Sequence, residues 1–358
     1  MMKDFVLPGR LGNYSLSLAE DERLDPRILG ALSQNAPNFQ ALSPPEITME
    51  SSYSECLSWV DFMDKLLASM DASVLASMPN FDGVDSSDHI IIGCSEYNIK
   101  LFVDRPENGS EALPCIVHLH GGGMSFTSAR SPSAVRWRKT LAEEGLVVIG
   151  VEFRSETLMP GNHPFPAGLE DCAAAVRWVK LNAHELGISS LVIAGESGGG
   201  NLAVATALKA NQEGWIDNID GVYAMAPMLF GFYGSVPSEL LSWRENLDYQ
   251  GTHEMVRAMR VVYDPNEKHE FNPLAWPYSA KYKDLVGLPP FYITNYELDL
   301  IRDEGVVFAQ KLRAAGVEAI CRTIHGVHHV PEIAMPDVVP ELTREAVSSL
   351  ASFARKFA

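Results

Sequence analysis

The segment Leu191-Val192-Ile193-Ala194-Gly195-Glu196-Ser197-Gly198-Gly199-Gly200-Asn201 decides how the chain is read. Its first four residues are an apolar run of the kind that a parallel sheet buries on both faces. Residues 201–210 continue at helical spacing. Between run and helix lies G-x-S-x-G, a strand-to-helix turn so tight that a Cβ on the flanking glycines would clash. The serine hydroxyl then stands clear of the main chain at the start of a helix. A glycine-rich turn with an incidental serine has the same letters. The strand before it and the helix after it are what make Ser197 a candidate nucleophile.

Working outward, strands and helices alternate. Residues 89–92 and 98–103 read as a β-hairpin, and 115–119 as a short buried strand. Residues 132–144 predict a helix with Ser131 as N-cap and Pro132 in its first turn. A strand at 146–153, a long helix at 167–186 and strands at 221–226, 290–294 and 319–323 follow, with helices at 303–315 and 340–357. This rhythm predicts an α/β chain with a mostly parallel, eight-stranded sheet flanked by helices. Residues 1–85 lack strong β runs and show helical periodicity near 56–70, so they read as an N-terminal arm that caps the main domain of residues 86–358. Residues 229–283 interrupt the rhythm with ten aromatic residues, among them Phe230, Trp243, Tyr263 and Trp276. They read as a second cap element that encloses a pocket, since ligands bind at the carboxyl ends of parallel strands.

A second glycine motif lies upstream, Val117-His118-Leu119-His120-Gly121-Gly122-Gly123-Met124. Acyl transfer to a serine generates an oxyanion, which needs preorganised N–H donors. Successive glycines turn their amides toward it without side-chain interference. Gly122 and Gly123 are the candidate donors, with Gly198 as the third; Gly121 and His120 read as loop support. No G-K-[ST] follows, which argues against a phosphate-binding loop.

A serine needs a base, and the base an orienting carboxylate. In Asn295-Tyr296-Glu297-Leu298-Asp299-Leu300-Ile301-Arg302-Asp303-Glu304-Gly305, four acids qualify by chemistry. Asp303 and Glu304 open a helix, where the dipole already favours acids. Asp299 sits in the loop, free to reach a histidine. After the last strand stand His325, His328 and His329, each a candidate base. If His328 is not the base, its side chain is expected to face solvent or contact a cap.

Together, H-G-G-G at 120–123, G-E-S-G-G-G at 195–200 and D-x-x-R-D-E-G at 299–305 resemble the bacterial relatives of hormone-sensitive lipase. Phe153-Arg154 through His163-Pro164-Phe165-Pro166-Ala167 and Leu274-Ala275-Trp276-Pro277 add to the likeness, which covers about residues 90–350. Pro8-Gly9-Arg10-Leu11-Gly12 extends it toward the N-terminus. The resemblance implies an α/β-hydrolase fold and a serine carboxylesterase acting on short- to medium-chain esters. It carries the nucleophile to Ser197, the acid to Asp299 and the histidine, three residues after Gly326, to His329. The alternatives are a lactone or amide hydrolase on the same triad, and a non-catalytic small-molecule receptor on the same fold, as in the plant gibberellin receptors, which resemble the family but lack the histidine.

Composition bounds the rest. With 28 Lys and Arg against 46 Asp and Glu, the net charge is −18, which repels phosphate backbones and anionic membranes and argues against both as partners. The expected partner is a small-molecule ester, with monomer and homodimer both open. Cys56, Cys94, Cys115, Cys172 and Cys321 form no C-x-x-C pair, so neither a metal site nor another cofactor is expected. Reduced thiols, with no signal-like apolar run near the N-terminus and no apolar stretch of about 20 residues, imply a cytoplasmic location.

Overall fold

Alternate residues of a strand point to opposite faces, and here both faces are apolar. Cys115, Val117, Leu119, Val147, Ile149, Val151, Leu191 and Ile193 join one buried cluster. Their neighbours Ile116, Val148, Val192 and Ala194 join another on the opposite face. Two apolar faces require two covering layers, and helices supply both.

The computed structural model describes residues 6–40, 43–93, 97–107, 111–157 and 163–358. Its strands are β1 (Val84–Ile92), β2 (Asn98–Pro106), β3 (Leu113–Leu119), β4 (Val147–Glu152), β5 (Ile188–Glu196), β6 (Gly221–Met225), β7 (Phe291–Tyr296) and β8 (Ala319–Ile324). Its helices are α1 (Pro26–Gln40), α2 (Tyr53–Ala76), α3 (Pro132–Glu143), α4 (Ala167–Leu181), α5 (Gly198–Glu213), α6 (Ser242–Glu245), α7 (His253–Tyr263), α8 (Tyr282–Leu285), α9 (Arg302–Ala314), α10 (Pro331–Ala334) and α11 (Pro340–Arg355). The strands form one sheet in the order β1-β2-β4-β3-β5-β6-β7-β8. The pairs β1–β2 and β2–β4 are antiparallel; every later pair is parallel. Trp137 and Leu141 of α3, with Leu350 and Phe353 of α11, cover one face. Leu169 and Val176 of α4, Leu202 and Leu208 of α5, and Phe308 and Leu312 of α9 cover the other.

The eight-stranded, mostly parallel sheet agrees with the sequence reading, while several details differ. The helix expected over 167–186 stops at Leu181, because the Asn182 side chain donates to the Trp178 carbonyl at 2.8 Å and the chain turns there. Ser131 precedes α3, but its hydroxyl makes no cap bond. Helix α1 lies in a segment that gave no helical signal, and β1 begins inside the segment read as the arm. Many rings of the aromatic interval serve the main core. Phe232, Trp243, Tyr263, Trp276 and Tyr278 are buried in the main core, with ring pairs such as Phe232–Trp243 at 5.3 Å and Tyr263–Trp276 at 5.4 Å. Phe271 and Tyr282 are exposed. Cys56, Cys115, Cys172 and Cys321 are free thiols, whereas Cys94 lies outside the described residues, as do residues 158–162 of the motif around His163.

Candidate active site

The parallel strands β3, β5, β7 and β8 end at one edge of the sheet, and the loops leaving that edge carry the residues singled out above. After β5, Ser197 is forced to φ 56 and ψ −118 before α5 begins. A side chain in that region is strained and persists only where its surroundings hold it. Here the Ser197 N–H donates to the Met225 carbonyl at 2.9 Å, and the Ser197 carbonyl accepts from Asn201 and Met228 at 3.0 and 3.1 Å. The crowding explains the glycines. A Cβ on Gly199 would run into the Leu119 carbonyl, and one on Gly198 would lie 2.7 Å from the Gly123 nitrogen.

That contact puts the loop after β3 directly on the serine turn. Gly122 and Gly123 have φ 99 and 56, and among the described residues their N–H groups donate to nothing. Gly198 opens α5, where an N–H has no partner within the helix. Glu196 joins the two motifs: its carboxylate accepts from the Gly121 N–H at 2.8 Å and pairs with His118 Nε2 at 2.9 Å. Nothing in the sequence assigned Glu196 or His118 a task; the unspecified position of G-x-S-x-G gives no signal of its own. His120 stacks on Phe153 with centroids 4.1 Å apart, and its Nδ1 lies 2.9 Å from both the Gly121 carbonyl and the Thr127 hydroxyl. Burial pushes His120 down to about 4, and both Nδ1 contacts are to residues of this loop.

The loops after β7 and β8 are zipped together. Leu298 N–H donates to the Val327 carbonyl at 3.0 Å, and Gly326 N–H to the Glu297 carboxylate at 2.8 Å, with Gly326 at φ 78. This register sets Asp299 opposite His329, with Oδ2 and Nδ1 2.6 Å apart. Asp299 Oδ1 accepts from the Ile301 N–H at 3.1 Å, and the Asp299 carbonyl accepts from Asn246. The His329 side chain keeps 27% of its exposure, and its Nε2 forms no hydrogen bond among the described residues. Burial opposes charge on His329, but Asp299 outweighs it through charge and hydrogen bond, with smaller help from Glu332 and Glu196, so the imidazole is raised above its ordinary range. Glu196 thus lies within electrostatic reach of His329, although it is the chain neighbour of Ser197.

The other candidates go elsewhere. His325 is exposed beside Glu297. His328 does not face solvent: it is 1% exposed, its Nδ1 donates to the His329 carbonyl at 3.2 Å, and burial lowers it to about 4. Glu297 is spent on the loop zipper. Asp303 and Glu304 do more than meet a helix dipole. Asp303 accepts from the Ser242 N–H at 2.7 Å and pairs with Arg302. Glu304 is fully buried, takes the Leu229 and Phe230 N–H groups and Trp243 Nε1, and is pushed up to about 8 by that burial. Both pin the aromatic insertion to α9.

Beside the loop after β3, α2 packs against α7. Cys56, Trp59 and Val60 meet Phe126, Ala258, Val261 and Val262, with Met63, Met255 and Met259 partly buried around them. Met259 covers Gly123, where an added Cβ would meet its thioether.

A family described as having the α/β-hydrolase fold matches residues 116–332. The chain belongs to that family, among the members that resemble hormone-sensitive lipase. A solved structure of brefeldin A esterase, described as a bacterial homologue of human hormone-sensitive lipase, superposes with a TM-score of 0.91 at 36% identity, over 98% of each chain. The carboxylesterase NlhH of Mycobacterium tuberculosis is 33% identical over 57% of this chain, and the match spans only 62% of that relative's length. An arylesterase of Saccharolobus solfataricus is 31% identical over 63% of this chain and 69% of its own.

Proposed function

We propose that the protein is a carboxylic ester hydrolase that works through an acyl-enzyme on Ser197. The observation that carries this reading is the Asp299–His329 pair, 2.6 Å apart, at the sheet edge where the strained Ser197 turn also stands. His329 takes the serine proton as Oγ attacks the ester carbonyl, then delivers it to the departing alcohol. Asp299 keeps Nδ1 protonated, so that Nε2 faces the serine, and stabilises the imidazolium. The N–H groups of Gly122, Gly123 and Gly198 stabilise the oxyanion, each worth about 10²–10³ in rate. Water, activated by the same histidine, releases the acid. The partner is a small-molecule ester. None of the described helices is long and apolar enough to cross a membrane, and the free thiols fit a reducing, cytoplasmic setting.

The N-terminal arm and the insertion of residues 229–283 form a cap through α2 and α7, and short to medium acyl groups fit beneath it. What supports this is the enclosure of the Gly123 side by Met259 and its neighbours on two packed helices, rather than the aromatic rings. Flexible thioethers fit irregular apolar groups. Initial rates on p-nitrophenyl esters from acetate to palmitate, with and without a serine-directed phosphonate, test both points. The rate should peak at short to medium chains and vanish with the phosphonate. Absence of phosphonate-sensitive hydrolysis throughout the series would refute the esterase, and faster turnover of emulsified long-chain triglyceride would refute the enclosed pocket.

A pH profile tests the roles within the pair. The base must be neutral to accept a proton, and Asp299 holds His329 above the usual histidine range. The acid limb of kcat/KM should therefore lie above about 6.5. In Asp299→Asn the limb should move down and kcat should fall by about 10⁴. Asp303→Asn should leave the limb in place and act on stability alone. An unmoved limb in Asp299→Asn would mean another carboxylate orients the base.

A further inference from the structure

The segment from Gly121 to Thr127 is held in a backbone conformation that its sequence does not favour. Gly122 and Gly123 tolerate positive φ, but Met124 at φ 58 and Thr127 at φ 67 do not, and Thr127 is β-branched. Residues in that region persist only when neighbours over-determine them. The loop's own backbone bonds, Ser125 and Phe126 N–H to the Gly122 carbonyl, close the turn without engaging the Thr127 main chain, whose side chain alone is held within the loop. The Thr127 N–H instead donates to Asp64 Oδ1 at 2.8 Å, 63 residues upstream on α2. A charge-assisted bond of this kind is stronger and more directional than a neutral one.

From Thr127 the connection runs on toward the serine. The Thr127 hydroxyl donates to the Gly121 carbonyl at 2.9 Å, and the Gly121 N–H donates to Glu196 at 2.8 Å, next to Ser197. The two glycines with free N–H groups lie between these anchors. On the α7 side the loop is met by Met259 over Gly123 and by a longer 3.4 Å bond from Ser125 Oγ to the Met259 carbonyl.

We infer that Asp64 is a positioning residue: the docking of α2 fixes Thr127 in its left-handed conformation and so aims the Gly122 and Gly123 N–H groups at the reacting carbonyl oxygen. This rests on the oxyanion role given to those glycines above. It makes the N-terminal arm part of the rate machinery as well as a wall. Aim matters most in the transition state, since a small misplacement of a preorganised donor weakens the oxyanion far more than the bound ester.

The test compares Asp64→Ala with Asp64→Asn in the full chain. Asn keeps an oxygen that accepts from the Thr127 N–H; Ala keeps none. With p-nitrophenyl butyrate, Asp64→Ala should lose about tenfold to a hundredfold in kcat, with KM little changed. A trifluoromethyl ketone, which forms a tetrahedral adduct with the serine, should bind more weakly by the same factor. Asp64→Asn should stay close to the parent in both readouts. If Asp64→Ala does not fold, Asp64→Glu keeps the charge but moves the acceptor by one methylene, and it should show the same kcat-selective loss. Parent-like kcat and ketone affinity in Asp64→Ala, or in Asp64→Glu where that variant stands in, would overturn the inference. So would an equal loss in Asp64→Asn and Asp64→Ala. Either result leaves the esterase reading intact so long as the parent's hydrolysis depends on Ser197. Without that dependence, the reading beneath the inference is what fails.

Discussion

Ser197→Ala should lower kcat for ester hydrolysis by about a million-fold, to the residual rate that binding and oxyanion stabilisation alone sustain. The protein should fold as before. Alanine keeps the Cβ that the φ 56 position already accommodates, and the Ser197 hydroxyl caps no helix N–H. The backbone bonds that fix the turn, from Ser197 N–H to Met225 and from Asn201 and Met228 N–H to the Ser197 carbonyl, do not involve the side chain. Loss of activity with an unchanged unfolding midpoint therefore separates chemistry from structure. A fluorophosphonate should add one adduct to the parent, on the peptide containing Ser197, and none to the variant. Hydrolysis retained in Ser197→Ala, with the label on another serine, would refute the nucleophile.

His329→Ala should cost nearly as much in kcat, because nucleophile and base act as a unit. His328→Ala is the informative partner, since the two rings are adjacent in sequence and differ only in surroundings. His329 has its Nδ1 on Asp299 and an accessible edge. His328 is buried, depressed to about 4 and bonded to the His329 carbonyl. Emptying that space should destabilise the protein by roughly 2–5 kcal/mol, as large-to-small core changes do, while leaving most of kcat at a temperature where the variant is folded. Thermal unfolding and kinetics measured on both variants decide the matter. An active His329→Ala beside an inactive, folded His328→Ala would reverse the assignment.

Both experiments depend on a distinction the residue pattern leaves open. His325, His328 and His329 are equivalent as chemistry after a last strand, and only the family's spacing from Gly326 singled out one. The zipper of Leu298 to Val327 and Glu297 to Gly326 gives the Asp299 pairing to His329. The acids behave likewise. Glu297, Asp303 and Glu304 are each occupied by a partner distant in the chain, which no local pattern announces.

The sequence by itself determined that the sheet is mostly parallel, the eight strands along the chain and the serine turn. These follow from local rules: short continuous apolar runs, helical spacing, and glycines where a Cβ would collide. The tertiary structure alone decided the burial of the aromatic interval in the core, and the links of Glu196 to His118 and of Asp64 to Thr127. The two links join groups 63 and 78 residues apart, and the burial depends on whole layers meeting. Such contacts are fixed by how the layers pack, and residue order carries no periodic trace of them.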